Sequence, residues 1–112
     1  KYPVNILGHP TDRLINIREP LPLNLEKVFE TAVKNKVLME INASPARMDL
    51  DGMKIKKALQ AGCKFALSTD AHAVEHLAGY PYGVLMARRG WLEKKDLINC
   101  WDMKKIEKVM GK

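Results

Sequence analysis

His9, Asp70 and His72 are the residues of this sequence whose types could do chemistry together. Two imidazoles and a carboxylate suit zinc, manganese or iron. A donor set without thiolate, open to solvent, is what hydrolytic metal sites use to activate water and polarise a phosphoryl oxygen. Asp70 and His72 are two residues apart, so in extended backbone their side chains face the same way. Each of the three also suits a plainer role as a cap, a turn residue or a surface group, and both readings stand at this point. His76 lies four residues beyond His72, within reach of the same helical face; we read it as a surface residue or a support for His72, not as a ligand.

Other chemistries find less support. Glu40 and Asp70 offer a pair of carboxylates, but Glu40 precedes its strand end by two residues and reads as a buried, hydrogen-bonded structural group. Neither Cys63 nor Cys100 follows a strand with a histidine partner, and Ser44 and Ser68 lack the GxSxG elbow of a serine nucleophile. Arg13 and Arg47 follow strand ends and are candidate phosphate contacts, since a guanidinium binds phosphate in bidentate fashion. Arg88 and Arg89 fall near a helix C-terminus, where the helix dipole already favours cations.

These residues are positioned by alternating short strands and helices. Val4, Ile6 and Leu7 mark a strand over residues 4–7, and Pro10 ends it, leaving His9 at its C-terminal tip. Asn24 caps a helix whose apolar face is Leu25, Val28, Phe29, Ala32 and Val33. A second strand spans 37–42. Asp51 then caps a helix carrying Met53, Ile55, Ala58 and Leu59, with Gly62 at its C-terminal end. A third strand spans 64–68 and runs into Asp70 and His72. A helix over 82–89 stops at Gly90, Leu97 and Ile98 form a short fourth strand, and Asp102 caps a last helix with Met103, Ile106, Val109 and Met110. This order predicts an α/β fold with a parallel sheet or barrel. In such folds active sites assemble at the C-terminal ends of strands, where His9, Asp70 and His72 fall. No GxGxxG or GxxxxGK[ST] turn follows any strand, which argues against dinucleotide or P-loop binding.

Composition sets the outer limits. An apolar share of 46% can build a core and 29% charged residues keep it hydrated. The apolar runs are too short to span a membrane, and no secretory leader is visible. The two cysteines read as small apolar residues of a reducing compartment, so we place the chain in the cytoplasm. A formal charge of +6 suits a polyanionic partner and equally a solvated basic face. The chain opens on Lys1, Tyr2 and Pro3 without a methionine, which we read as a segment of something longer.

Four motifs carry a resemblance: Ile6-Leu7-Gly8-His9-Pro10-Thr11, Leu38-Met39-Glu40-Ile41-Asn42-Ala43, Ser68-Thr69-Asp70-Ala71-His72 and Ala87-Arg88-Arg89-Gly90-Trp91-Leu92. In this order and spacing the chain resembles the polymerase and histidinol phosphatase (PHP) domain. The Asp-Ala-His and Ala-Arg-Arg-Gly-Trp versions are similar to those of bacterial and archaeal family X DNA polymerases. The resemblance implies a distorted, seven-stranded TIM-like (βα) barrel, of which residues 1–112 would be the C-terminal portion with about four βα units. It implies a cluster of divalent metal ions, zinc or manganese, and hydrolysis of phosphate esters. In polymerase-linked members that means 3′–5′ exonuclease or related phosphodiesterase work on DNA ends, in DNA repair. His9, Asp70 and His72 match ligand positions; Glu40, Ile41 and Asn42 match a signature carried over as structural or ligand-supporting.

The family's opening His-X-His, its next histidines and its bridging glutamate have no counterpart here. The partners implied are therefore the rest of the barrel, the polymerase core and, in the complete protein, DNA. A partial barrel also has two open sheet edges, which invite self-association. With an incomplete ligand set, the isolated chain is expected to show little or no phosphoesterase activity. Two further readings stay open: a non-catalytic module of a polymerase, and a small-molecule phosphatase such as one acting on histidinol phosphate.

Overall fold

A computed structural model describes residues 3–111. Three strands, β1 (Ile6–Leu7), β2 (Leu38–Asn42) and β3 (Phe65–Ser68), form one parallel sheet in the order β1-β2-β3. The helices are α1 (Leu25–Lys34), α2 (Gly52–Ala61), α3 (Tyr80–Arg89) and α4 (Met103–Gly111). The described residues form an open sheet, not a closed barrel; the arrangement is consistent with a portion of one.

Local signals account for the helix ends. The Asn24 side chain accepts the Lys27 N–H at 3.3 Å to begin α1, and Asp51 accepts that of Lys54 at 2.9 Å to begin α2. Gly62 ends α2 in the left-handed conformation that glycine adopts without Cβ strain. Helix α3 starts at Tyr80, two residues earlier than expected. Pro81 sits in its first turn, where the missing N–H has no helical acceptor to lose.

Side chains alternate across the sheet. Leu7, Met39, Ile41, Phe65 and Leu67 face α1, α2 and α3, packing with Phe29, Ile55, Ala58 and Met86 in the larger core. On the other face Leu38, Ala66 and Ile98 meet Trp101, Ile106, Val109 and Met110 around α4. Alternation therefore puts Glu40, Asn42 and Ser68 on that second face, further toward the C-terminal ends of the strands. The sheet thus has an apolar floor under α4 and a polar top.

The expected fourth strand is not a strand. Leu97 makes a single parallel bridge to Phe65, and Ile98–Cys100 then coils into a 3-10 turn. Asn99 supplies the reason: its side-chain oxygen accepts the Leu67 N–H at 2.9 Å and its amide donates to the Leu67 carbonyl at 3.0 Å. One amide group does there what a ladder strand would do. The outer edge of β3 is accordingly capped in part. The first strand is also shorter than expected, and beside it an apolar groove of about 650 Å³ opens, lined by Val4, Leu7, Val28, Val37 and Met39.

Candidate site at the strand ends

His9 and Asp70 each lie two residues beyond a strand, His9 after β1 and Asp70 after β3. Both leave the sheet in left-handed backbone, with φ of 23° at His9 and 54° at Asp70. Non-glycine residues seldom adopt that region, and they keep it where surrounding contacts over-determine it. The strand geometry therefore does not persist to Asp70 and His72, and their side chains do not simply point the same way.

The over-determining contacts begin with Glu40. Its carboxylate accepts the His9 backbone N–H at 2.6 Å and the Asn42 side-chain amide at 3.2 Å, and it takes the Ser68 hydroxyl as well. The buried Asn42 amide also donates to Asp70 at 3.3 Å. An unbroken polar chain thus runs from β1 through β2 to β3.

A second chain lies nearer solvent. Arg47 Nη1 contacts Asp12 Oδ1 at 3.0 Å, and its Nε stands 3.8 Å from Asp70 Oδ2. The same Asp12 oxygen meets Arg18 at 3.0 Å and His9 Nδ1 at 3.4 Å. His9, Glu40, Asn42, Asp70, Arg47 and Asp12 consequently form a ring. Arg13 is turned away from it: Nε donates to the Arg47 carbonyl at 2.7 Å and Nη2 to the Met48 carbonyl at 2.5 Å. Its guanidinium clasps the loop after β2, with those donors engaged.

Asp49 anchors the same loop from beneath by accepting the Thr11 N–H at 2.9 Å. Burial raises its carboxyl above the ordinary value, and the Thr11 hydrogen bonds and the Arg13 charge offset this only in part.

His72 is exposed and bends back over its own loop. Its Nδ1 lies 2.7 Å from the Asp70 carbonyl oxygen and 3.9 Å from Asp70 Oδ1. Its backbone N–H donates to His76 Nδ1 at 2.9 Å, so His76 supports the turn that carries His72. Of the residues singled out in the sequence, His9, Arg47 and Asp70 share the ring and His72 adjoins it at Asp70. Asp12 was missed, because nothing local marks it; its partner Arg47 is far away in sequence.

In donor type, His9, Asp70 and His72 fit a zinc or manganese ion. In placement, no three His, Cys, Asp or Glu side chains gather into a metal-holding group among the described residues. The described residues do not by themselves assemble a metal centre.

Fold and site together define a parallel α/β unit with a histidine–carboxylate network at its strand ends. No protein-family model matches the chain. Over 104 residues, 93% of its length, it is 38% identical to the DNA polymerase/3'-5' exonuclease PolX of Bacillus subtilis (strain 168), and it spans 18% of that protein. This bears out the resemblance read from the four motifs: the chain is similar to the PHP-containing C-terminal region of that polymerase/exonuclease. No helix among the described residues is long and apolar enough to cross a membrane.

Proposed function

We propose that this chain is one rim of a metal-dependent phosphoesterase site that, in the complete protein, hydrolyses phosphate esters at DNA ends as a 3′–5′ exonuclease. The observation that carries the reading is the 38% identity to a polymerase/exonuclease across nearly the whole chain, with His9 after β1 and Asp70 after β3 tied together through Glu40 and Asn42 of the β2 strand between them. Zinc or manganese, bound by His9, Asp70, His72 and donors from the rest of the barrel, would supply an activated water and a polarised phosphoryl oxygen. The chain's own contribution is placement: Glu40 and Asn42 hold the backbone of His9 and the carboxylate of Asp70. Arg47, between Asp12 and Asp70, is the cation best placed to meet a substrate phosphate. Arg13 holds the loop that carries Arg47.

In the complete protein the rest of the barrel would cover the apolar groove beside β1. We place the complete protein in the cytoplasm, acting on DNA. The test is manganese-dependent degradation of a 3′-labelled oligonucleotide by the complete protein. His9→Ala, Asp70→Asn and His72→Ala should each lower it by orders of magnitude while leaving nucleotide addition intact. Undiminished degradation in all three variants sinks the reading.

The ungathered donors favour one alternative for the isolated chain, a folded module without catalysis. Metal content separates the two. Stoichiometric zinc or manganese lost on His9→Ala supports the phosphoesterase rim, and a metal-free chain of unchanged thermal stability supports the module.

A further inference from the structure

We propose that Asp12 is a positioning residue for His9, fixing which ring nitrogen carries the proton and so which one is free to bind. The inference rests on the phosphoesterase reading for its purpose, but its geometry stands independently. Asp12 is held by two arginines: Arg18 Nη2 and Arg47 Nη1 each lie 3.0 Å from Oδ1, and Arg18 Nε donates to the Asp12 backbone carbonyl at 2.9 Å. Both contacts come from groups that can only donate, so Asp12 Oδ1 serves as an acceptor.

His9 Nδ1 faces that oxygen at 3.4 Å, just outside hydrogen-bond geometry, and is a buried nitrogen with no other partner. A bare lone pair on Nδ1 would point at a negative oxygen, which is repulsive, whereas an N–H there is attracted. The proton therefore belongs on Nδ1, which leaves the Nε2 lone pair for a ligand outside the ring. A carboxylate that orients an imidazole in this way also makes it a better donor.

The experiment is long-range proton–nitrogen NMR on the metal-free, isotope-labelled chain. Native His9 should show the Nδ1–H tautomer. Asp12→Ala should move it to Nε2–H, and Asp12→Asn, which keeps an acceptor oxygen, should restore Nδ1–H at least in part. If the alanine variant does not fold, the native tautomer and the asparagine variant decide the matter alone. Native His9 protonated on Nε2, or a folded Asp12→Ala that keeps Nδ1–H, overturns the proposal. The complete protein separates the two readings. Exonuclease loss in His9→Ala with no tautomer change in Asp12→Ala leaves the phosphoesterase reading standing and removes this one. A tautomer change with full activity in His9→Ala does the reverse.

Discussion

The carboxylate of Glu40 accepts the backbone N–H of His9 at 2.6 Å across two strands. Because the same carboxylate takes the Ser68 hydroxyl and the Asn42 amide, one side chain ties together the ends of all three strands. Removing it leaves those donors unpaired in a half-buried place. Glu40→Ala should lower unfolding free energy by roughly 1.5–3 kcal/mol, read from urea denaturation. Glu40→Gln keeps one acceptor and should lose less; equal losses would argue against the hydrogen-bond account.

The close crossing of α2 and α3 depends on two glycines. A Cβ at Gly90 would lie 2.3 Å from Ile55 Cγ2, and one at Gly52 would lie 2.5 Å from Arg89 Cβ. Gly90, the residue that caps the C-terminal end of α3, has a negative φ of −85° that other residues can adopt, so the requirement is space and not conformation. Gly90→Ala should cost about 1–3 kcal/mol through overpacking. Gly111→Ala, where nothing lies within 4 Å, serves as the control and should be near neutral in the same thermal melts.

Asn99 closes the outer edge of β3 with its side-chain amide. Asn99→Ala exposes the Leu67 N–H and carbonyl. We expect a loss of about 1–2 kcal/mol together with concentration-dependent self-association, since an unpaired edge is a template for another strand. Sedimentation velocity across a range of concentrations checks this; a variant that stays monomeric throughout would show that β1 or the groove beside it governs association.

Lys64 and Asp96 set part of the acid sensitivity. Burial by itself would raise the Asp96 carboxyl. The Lys64 hydrogen bond at 2.9 Å, the Glu93 N–H and the Lys64 and Lys95 charges outweigh it, and Asp96 lies below its ordinary value of 3.8. A depressed carboxyl contributes stability that is present above pH 3.8 and lost as pH falls through the folded-state value. Asp49, which is raised, works with the opposite sign: it stabilises at low pH and costs stability as pH rises past 3.8. Comparing native chain with Lys64→Met isolates Asp96. The variant should be less stable near neutrality, and the gap should narrow on acidification below pH 3.8. A gap that stays constant with pH would assign the Lys64 effect to packing.

Much of this molecule is legible from the sequence because the relevant forces are local. The Asn24 and Asp51 caps, the left-handed Gly62 and the 3.6-residue spacing of Leu25, Val28, Phe29 and Ala32 mark helices within a few residues of where they lie. Apolar runs likewise mark β2 and β3, and four short motifs suffice to mark the family. What only the tertiary structure decided are the relations between segments distant in sequence. Asn99 replaces a strand because its amide reaches Leu67 across 32 positions, and Arg47 finds Asp12 across 35. His9 and Asp70 are joined through Glu40 and Asn42 because the parallel register sets three strand ends side by side. Sequence spacing carries no record of that register. It arises when the apolar face of the sheet packs against α1, α2 and α3, leaving the polar residues of the other face to satisfy one another.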